Sequence, residues 1–415
     1  MFRLVGGLSL TLDSTVKLSD RMKAVKRVSD FLRREKGLAY VSLGNFSSAV
    51  LGALFWIILA WVLNIDEYGE TNYYIASASI PAAISLLGLD TTVIAYLAKG
   101  EEPLLHEADS VVLISTLFLG TLLSLFHWGS SLVMMAMVFY TMSLAEVLGR
   151  RLYKEYGVIC VASRLIQILL SLSLYFLIGL RGILAGYFLG LLILSYRYLN
   201  GLRRFNLKLE NVRRNLNFTL HSYGLNLTRN LSSYLDKIVI GSFLGFDMLG
   251  LYQLGYQFLM FLSVIPSSLY TYMLPEESSG KSNRLVELVG IGFSVAMAAV
   301  MFLLVPWLIT AFLPRFLDAI PLVRVMCLGV IPATVRSTCN AKLLGKGRSK
   351  PVLIGGLIYL TCLMTGFIAL GYTFKELGLA FSMVVAQTTS AVFLWKNLKP
   401  HPSLKKFRRP SHYSS

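Results

Sequence analysis

Long apolar blocks alternate with short polar breaks along almost the whole chain. A helix that crosses a bilayer needs about 20 mainly apolar residues. Blocks of that kind fall at roughly 39–63, 72–97, 109–126, 130–148, 156–178, 182–200, 219–245, 248–274, 285–312, 319–342, 351–371 and 377–396. The pattern predicts an all-α polytopic membrane protein of about twelve transmembrane helices. No interior stretch longer than about 20 residues is left for a soluble domain. There is no room for an ATPase or a catalytic head, so the chain reads as a non-enzyme.

The breaks carry the orientation. With the N-terminus placed in the cytoplasm, 30 Lys and Arg residues lie in cytoplasmic segments, against Arg181, Arg315 and Lys375 on the other side. Basic residues accumulate in cytoplasmic loops, so both termini are expected inside. The chain then divides into a basic cytosolic segment (1–38), a lobe of helices one to six (39–200) and a basic cytosolic linker (201–217). A lobe of helices seven to twelve (218–397) and a basic cytosolic tail (398–415) complete it. In residues 17–36 of the first segment, Leu18, Met22, Val25, Val28 and Leu32 recur at helical spacing among Lys17, Arg21, Lys23, Lys26, Arg27, Arg33, Arg34 and Lys36. That is a basic amphipathic helix suited to the anionic inner leaflet. Lipids of that leaflet are thus expected partners, in a multi-pass protein of the plasma membrane.

Composition agrees and narrows the class. Of 415 residues, 55% are hydrophobic and 15% charged. Soluble chains average roughly 45–50% apolar and about 25% charged, so both a soluble fold and disorder are excluded. The net charge of +17 needs no nucleic acid partner, because loop lysines and arginines account for it. Cys160, Cys327, Cys339 and Cys362 sit in apolar runs with no C-x-x-C pair, and the five His are scattered. Neither metal nor cofactor is expected.

Residues 45–69 (NFSSAVLGALFWIILAWVLNIDEYG) repeat as 226–250 (NLTRNLSSYLDKIVIGSFLGFDMLG), an offset of 181. Asn45/Asn226, Leu54/Leu235, Ile57/Ile238, Leu63/Leu244, Asp66/Asp247 and Gly69/Gly250 are identical. Each copy opens a six-helix half and ends at the outer face. A repeat displaced by six spans keeps its orientation, a parallel repeat typical of transporters.

Four segments carry a family likeness. IILAWVLNIDEYG (57–69), LDKIVIGSFLGFDMLGLYQLGYQ (235–257), MLPEES (273–278) and LLGKGRSKPVLIGG (343–356) resemble, in order and spacing, the polysaccharide biosynthesis flippases. These move lipid-linked oligosaccharides and belong to the multidrug/oligosaccharidyl-lipid/polysaccharide exporter superfamily. The resemblance covers about 39–397. It implies twelve to fourteen helices, two lobes, a central cavity, alternating access, and a lipid-linked glycan as substrate. The basic N-terminal extension departs from the pattern.

Ionisable residues inside spans are costly and mark function or pairing. They are Asp90, Glu146, Arg164, Arg229, Asp236, Lys237, Asp318, Arg324, Arg336 and Lys342. Glu146, Asp318, Arg324 and Lys342 lie near span ends, where they can snorkel. Ser222, Asn226, Arg229, Ser233 and Asp236 follow at steps of 4, 3, 4 and 3, one polar face of the seventh helix. Arg229 falls about 15 Å from the inner end, near mid-membrane. Arginine's fork suits a diphosphate, which makes Arg229, Arg336 and Arg164 candidate headgroup contacts, with Asn226 and Asn45 beside them. Asp90 and Asp236 are candidate coupling sites for H+ or Na+. Pairing to neighbours, Asp90 with Arg164 for instance, is the structural alternative.

Two further transporter readings compete. A cation-coupled multidrug or small-solute exporter of the same superfamily would need acidic cavity residues, and arginines outnumber deep acids here. A major-facilitator carrier would carry a basic loop at 98–108, which reads AKGEEPLLHEA and is acidic. A non-transporting scaffold has no feature in its favour.

Overall fold

The structure is a computed structural model that describes residues 36–398, except 38, 207 and 281–283. The amphipathic pattern at 17–36, apart from Lys36, and the tail at 399–415 lie outside the described residues. All regular structure among the described residues is helical. Nine helices there are long and apolar enough to cross a membrane, ten if one bent pair is counted as a span.

In chain order the long helices are α1 (Ala39–Val62), α2 (Ile65–Leu86), α3 (Leu89–Leu97), α4 (Glu102–Ser124), α5 (Trp128–Gly149), α6 (Tyr153–Ile178) and α7 (Leu180–Gly201). They continue with α8 (Leu216–Phe243), α9 (Phe246–Ser278), α10 (Arg284–Phe312), α11 (Ala319–Gly345) and α12 (Ser349–Leu398). Three departures from the expected blocks have clear causes. The block at 72–97 is bent by 50° between α2 and α3, because Leu87 and Gly88 both take positive φ, 52° and 76°. A Cβ on Gly88 would lie 2.5 Å from the Tyr223 amide nitrogen and 2.6 Å from the Thr219 carbonyl, so glycine serves both the turn and the close approach. The block at 219–245 is one helix of 28 residues, yet it is absent from the nine because its polar stripe lowers its hydropathy. The blocks at 351–371 and 377–396 run together as 50 residues interrupted by non-helical Lys375 (φ 50°, ψ −130°).

The chain forms two compact units. Among the described residues the first draws on 36–54, Ile84–Leu122 and Met135–Gly224; the second on Phe55–Ala83, Leu123–Met134 and 225–398.

In the first unit, a ladder of charges ties the ends of α4 to α7 together. Arg150 grips Glu102 at 2.6 and 2.8 Å and Glu146 at 2.7 Å. Arg197 grips Glu155 at 2.6 and 2.7 Å and reaches Glu146 at 3.4 Å. The linker is pinned to the same unit. Glu107, buried on α4, accepts from the Asn211 and Val212 amides at 2.9 and 3.0 Å and from Asn211 Nδ2 at 2.7 Å.

In the second unit the repeat becomes visible as packing. A Cβ on Gly69 would lie 1.8 Å from the carbonyl oxygen of Phe246; one on Gly250 would lie 2.1 Å from that of Ile65. Ile65 and Phe246 are themselves 181 apart. The crossing of α2 and α9 is therefore reciprocal, each copy of the repeat placing its glycine against the first residue of the other's helix, as a two-fold contact requires. Tyr68 and Leu249, the residues before the two glycines, are both fully buried.

Candidate functional site

The mid-chain charges of the second unit gather around α8, α9, α11 and α12. Asp236 and Lys237 are adjacent on α8 and both buried, 4% and 5% exposed. Lys237 Nζ lies 3.2 and 3.3 Å from the two Asp236 carboxylate oxygens and donates to the Ser233 carbonyl at 2.7 Å. Tyr252 on α9 donates its hydroxyl to Asp236 Oδ2 at 2.8 Å. The ammonium also stands 4.2 Å from the centre of the Tyr256 ring, an attraction that strengthens where water is excluded. A buried ion pair is tolerated only with such additional bonds, and this one has them.

Arg336 on α11 is handled differently. Its guanidinium lies over the Tyr359 ring, 4.5 Å from the centroid, and it takes no acidic partner among the described residues. One turn further along, Asn340 buries a side-chain oxygen that receives no hydrogen bond among the described residues. Arg229 is the fourteenth residue of the 28 in α8, at the helix midpoint. It is exposed and likewise has no ion pair among the described residues. Within the stripe, Ser233 turns its hydroxyl back to the Arg229 carbonyl at 3.0 Å, Asn226 is half-buried, and Ser222 is buried.

The first unit brings Asn45 and Arg164 to one helix pair, α1 against α6. Tyr156 donates to Asn45 Oδ1 at 2.9 Å. Arg164 donates to Gln167 Oε1 at 3.0 Å and to Ser48 Oγ at 3.4 Å, so neutral acceptors hold it. Asp90 sits in the first turn of α3 directly after the bend, with Thr91 Oγ1 at 3.4 Å. A carboxylate there complements the helix dipole.

Of the charges expected to snorkel, Glu146 is an interior member of the ladder described above, and Lys342 pairs with Glu287. Arg324 donates to the Phe302 carbonyl at 3.1 Å. The sequence reading missed Glu107, which is buried, because it placed 98–108 in a loop, and it passed over buried Asp109, the first residue of its third span. It also missed Tyr256 and Tyr359, whose rings lie under Lys237 and Arg336, and Tyr252, which donates to Asp236, because their apolar rings blend into the spans.

Residues 153–279 match the profile of a family described as "Polysaccharide biosynthesis protein". No curated protein matches the chain. Among solved structures, the chain is similar to the lipid II flippase MurJ in an inward closed conformation, with a TM-score of 0.64 and 13% identity over 88% of each chain. It is similar to an inward-facing multidrug resistance transporter of the MATE family, with a TM-score of 0.67 and 14% identity over 90% of this chain and 100% of that one. A superfamily transporter from Pyrococcus furiosus, described as having a binding pocket of reversed polarity, gives a TM-score of 0.53 and 15% identity over 88% and 95%. The match within 153–279 and the common fold together bear out the expected resemblance: the chain has the fold of transporters of the multidrug/oligosaccharidyl-lipid/polysaccharide exporter superfamily.

Proposed function

We propose that this chain, built on that exporter fold, is a flippase that carries a polyprenyl-diphosphate-linked oligosaccharide from the inner to the outer leaflet of the plasma membrane. The observation that carries the reading is the pair of arginines without acids, Arg336 over Tyr359 and Arg229 at the midpoint of α8. Moving a charged headgroup through hydrocarbon unaided is prohibitive, and a spare guanidinium binds two phosphate oxygens at once. Asn226 supplies a polar neighbour, while Arg164 and Asn45 form the corresponding polar face of the first half.

Twelve spans fit this reading. The nine apolar helices gain one from α2 with α3 and one from α8. They gain one more because α12 turns back at Lys375, its second arm packing on its first, with Ser390 donating to the Gly355 carbonyl at 2.8 Å, and each arm has the roughly 20 residues that a hydrocarbon core of about 30 Å takes. With both termini inside, a cysteine at position 208 labels from the cytoplasm and one at 375 from outside. Asp236 has an ammonium tethered beside it, so the reading assigns it to holding α8 on α9 and leaves Asp90 as the candidate for H+ or Na+ coupling. The multidrug-exporter reading shares the fold; what favours the flippase over it is that the unpaired mid-helix charges are cationic.

The test is flipping of a fluorescent polyprenyl-diphosphate sugar in proteoliposomes, scored by bleaching with an impermeant reductant. Wild type is expected to expose the label and Arg336→Gln to lose about 10- to 100-fold in rate, the worth of a charge-assisted bidentate contact. Export of a cationic dye with no movement of the diphosphate lipid would replace this reading with the drug-exporter one.

A further inference from the structure

A cleft of about 590 Å³ opens where the start of α6 meets the start of the first helix, lined by Lys36, Tyr40, Arg151, Tyr153, Lys154 and Val158 among others. It lies wholly within the first unit. Three of its side chains are cations. Its single acid, Glu155, is already held by Arg197 at 2.6 and 2.7 Å and by the Tyr196 hydroxyl. Arg151 stands at a positive φ of 59° and spends one N–H on the Ala98 carbonyl at 3.3 Å. The cleft also contains the N-terminus of α6, which no side chain caps, so the first-turn N–H groups of Tyr153, Lys154 and Glu155 have no partner inside the helix. The dipole of a 26-residue helix favours an anion at that place.

The other lining is apolar and exposed: Tyr40 by 43%, Tyr153 by 36% and Val158 by 59%. Close approach builds this floor, since a Cβ on Gly37 would lie 2.4 Å from the Tyr153 ring. A phosphate needs the cations and the helix end; an acyl chain needs the apolar lip. We propose that this cleft binds one anionic glycerophospholipid, its headgroup phosphate on Arg151, Lys154, Lys36 and the α6 N-terminus, its acyl chain along Val158 and Tyr40. The chain preceding Lys36 is itself basic, with Arg33 and Arg34 next to it, so charge argues against that segment as the occupant. The site does not depend on the flippase reading, because lipid retention is measured without transport.

Full-length protein is taken from nanodiscs of phosphatidylcholine containing a minor fraction of phosphatidylglycerol, and retained lipids are weighed by native mass spectrometry. Wild type is expected to keep one phosphatidylglycerol in preference to phosphatidylcholine. Arg151→Gln with Lys154→Gln should weaken that preference by about fivefold per cation removed. Lys208→Gln with Lys350→Gln, which removes two cations outside the cleft, should leave it intact. Where the double variant elutes as an aggregate, wild type is titrated with salt instead; a preference that does not fall with ionic strength overturns the headgroup contact. Unchanged retention in a folded double variant overturns the site. So does displacement of phosphatidylglycerol by a polyprenyl diphosphate, which would make the cleft a substrate site.

Discussion

The two units handle charge in contrasting ways. In the first, Glu102, Arg150, Glu146, Arg197 and Glu155 form a chain in which each arginine meets two acids, and these residues lie at helix ends. In the second, the ion pairs stand apart from one another, buried Asp236 with Lys237 and Lys342 with Glu287, and Arg336 and Arg229, within their helices, meet no acid among the described residues. Charges at helix ends can share water, so a ladder there chiefly fixes how the ends pack. Charges within helices must be matched or used. The contrast separates structural charges from functional ones by their partners, without appeal to their depth alone.

The sharpest break of that contrast is at Asp236. Asp236→Asn strands a buried ammonium, and the expected cost is about 3–5 kcal/mol, read as lost thermal stability and abundance in detergent. Removing both charges with Asp236→Asn and Lys237→Met should recover most of it, since an apolar replacement of a buried pair is often neutral. If Asp236→Asn stays stable but loses dependence on a cation gradient, Asp236 is a coupling site and the matched-pair reading fails.

The reciprocal glycines come next. Gly69→Val and Gly250→Val each drive side-chain atoms into a backbone carbonyl that cannot move aside as a flexible side chain would. Overpacking of this kind costs about 1–3 kcal/mol, measured by thermal unfolding in detergent. The repeat predicts similar losses at both positions. A large loss at one and none at the other would show that the reciprocity has no energetic meaning.

Much of this was legible in the sequence, and what escaped did so for physical reasons. The apolar blocks marked the helices because hydrocarbon demands about 20 such residues. Lys375 marked the break in α12, and the 181-residue offset named Gly69 and Gly250 before their contact was visible. The left-handed pair Leu87 and Gly88 was hidden, because the block at 72–97 is long and apolar enough to read as a single span. Buried Glu107 was hidden because the acidic segment 98–108 reads as a loop until the linker is seen to cap onto it. The rings beside Arg336 and Lys237, Tyr359 and Tyr256, come from other helices, which no local spacing foretells.

Smaller effects sharpen the unpaired side. Tyr359→Leu removes the ring beneath Arg336 and is expected to weaken headgroup binding by about 0.5–2 kcal/mol, seen as a raised substrate concentration for half-maximal flipping. Arg229→Gln should leave abundance unchanged, since it strands no acid, while slowing flipping; Arg229→Lys should keep part of the rate because charge survives and the fork is lost. Full transport by well-expressed Arg229→Gln would leave Arg336 as the sole headgroup arginine of the pair.

The smallest effect tests the ladder. The Arg150–Glu102 bond joins side chains that are 31% and 50% exposed, whereas the shared acid Glu146 is 12% exposed. Both bonds are short, so distance alone would rank them alike. Exposure ranks them apart: water screens the outer pair, and a surface ion pair is worth about 0–1 kcal/mol. Glu102→Gln is therefore expected to lower stability by no more than that, and added salt should erase the difference. Glu146→Gln should cost more, because it removes the acid that Arg150 and Arg197 share and leaves both less well matched. Unfolding midpoints of the two variants at low and high salt give the comparison directly. A loss at Glu102→Gln as large as that at Glu146→Gln, and indifferent to salt, would mean that the ladder is held as tightly at its exposed end as within. The charges of the first unit would then obey the same rule as the buried pair of the second.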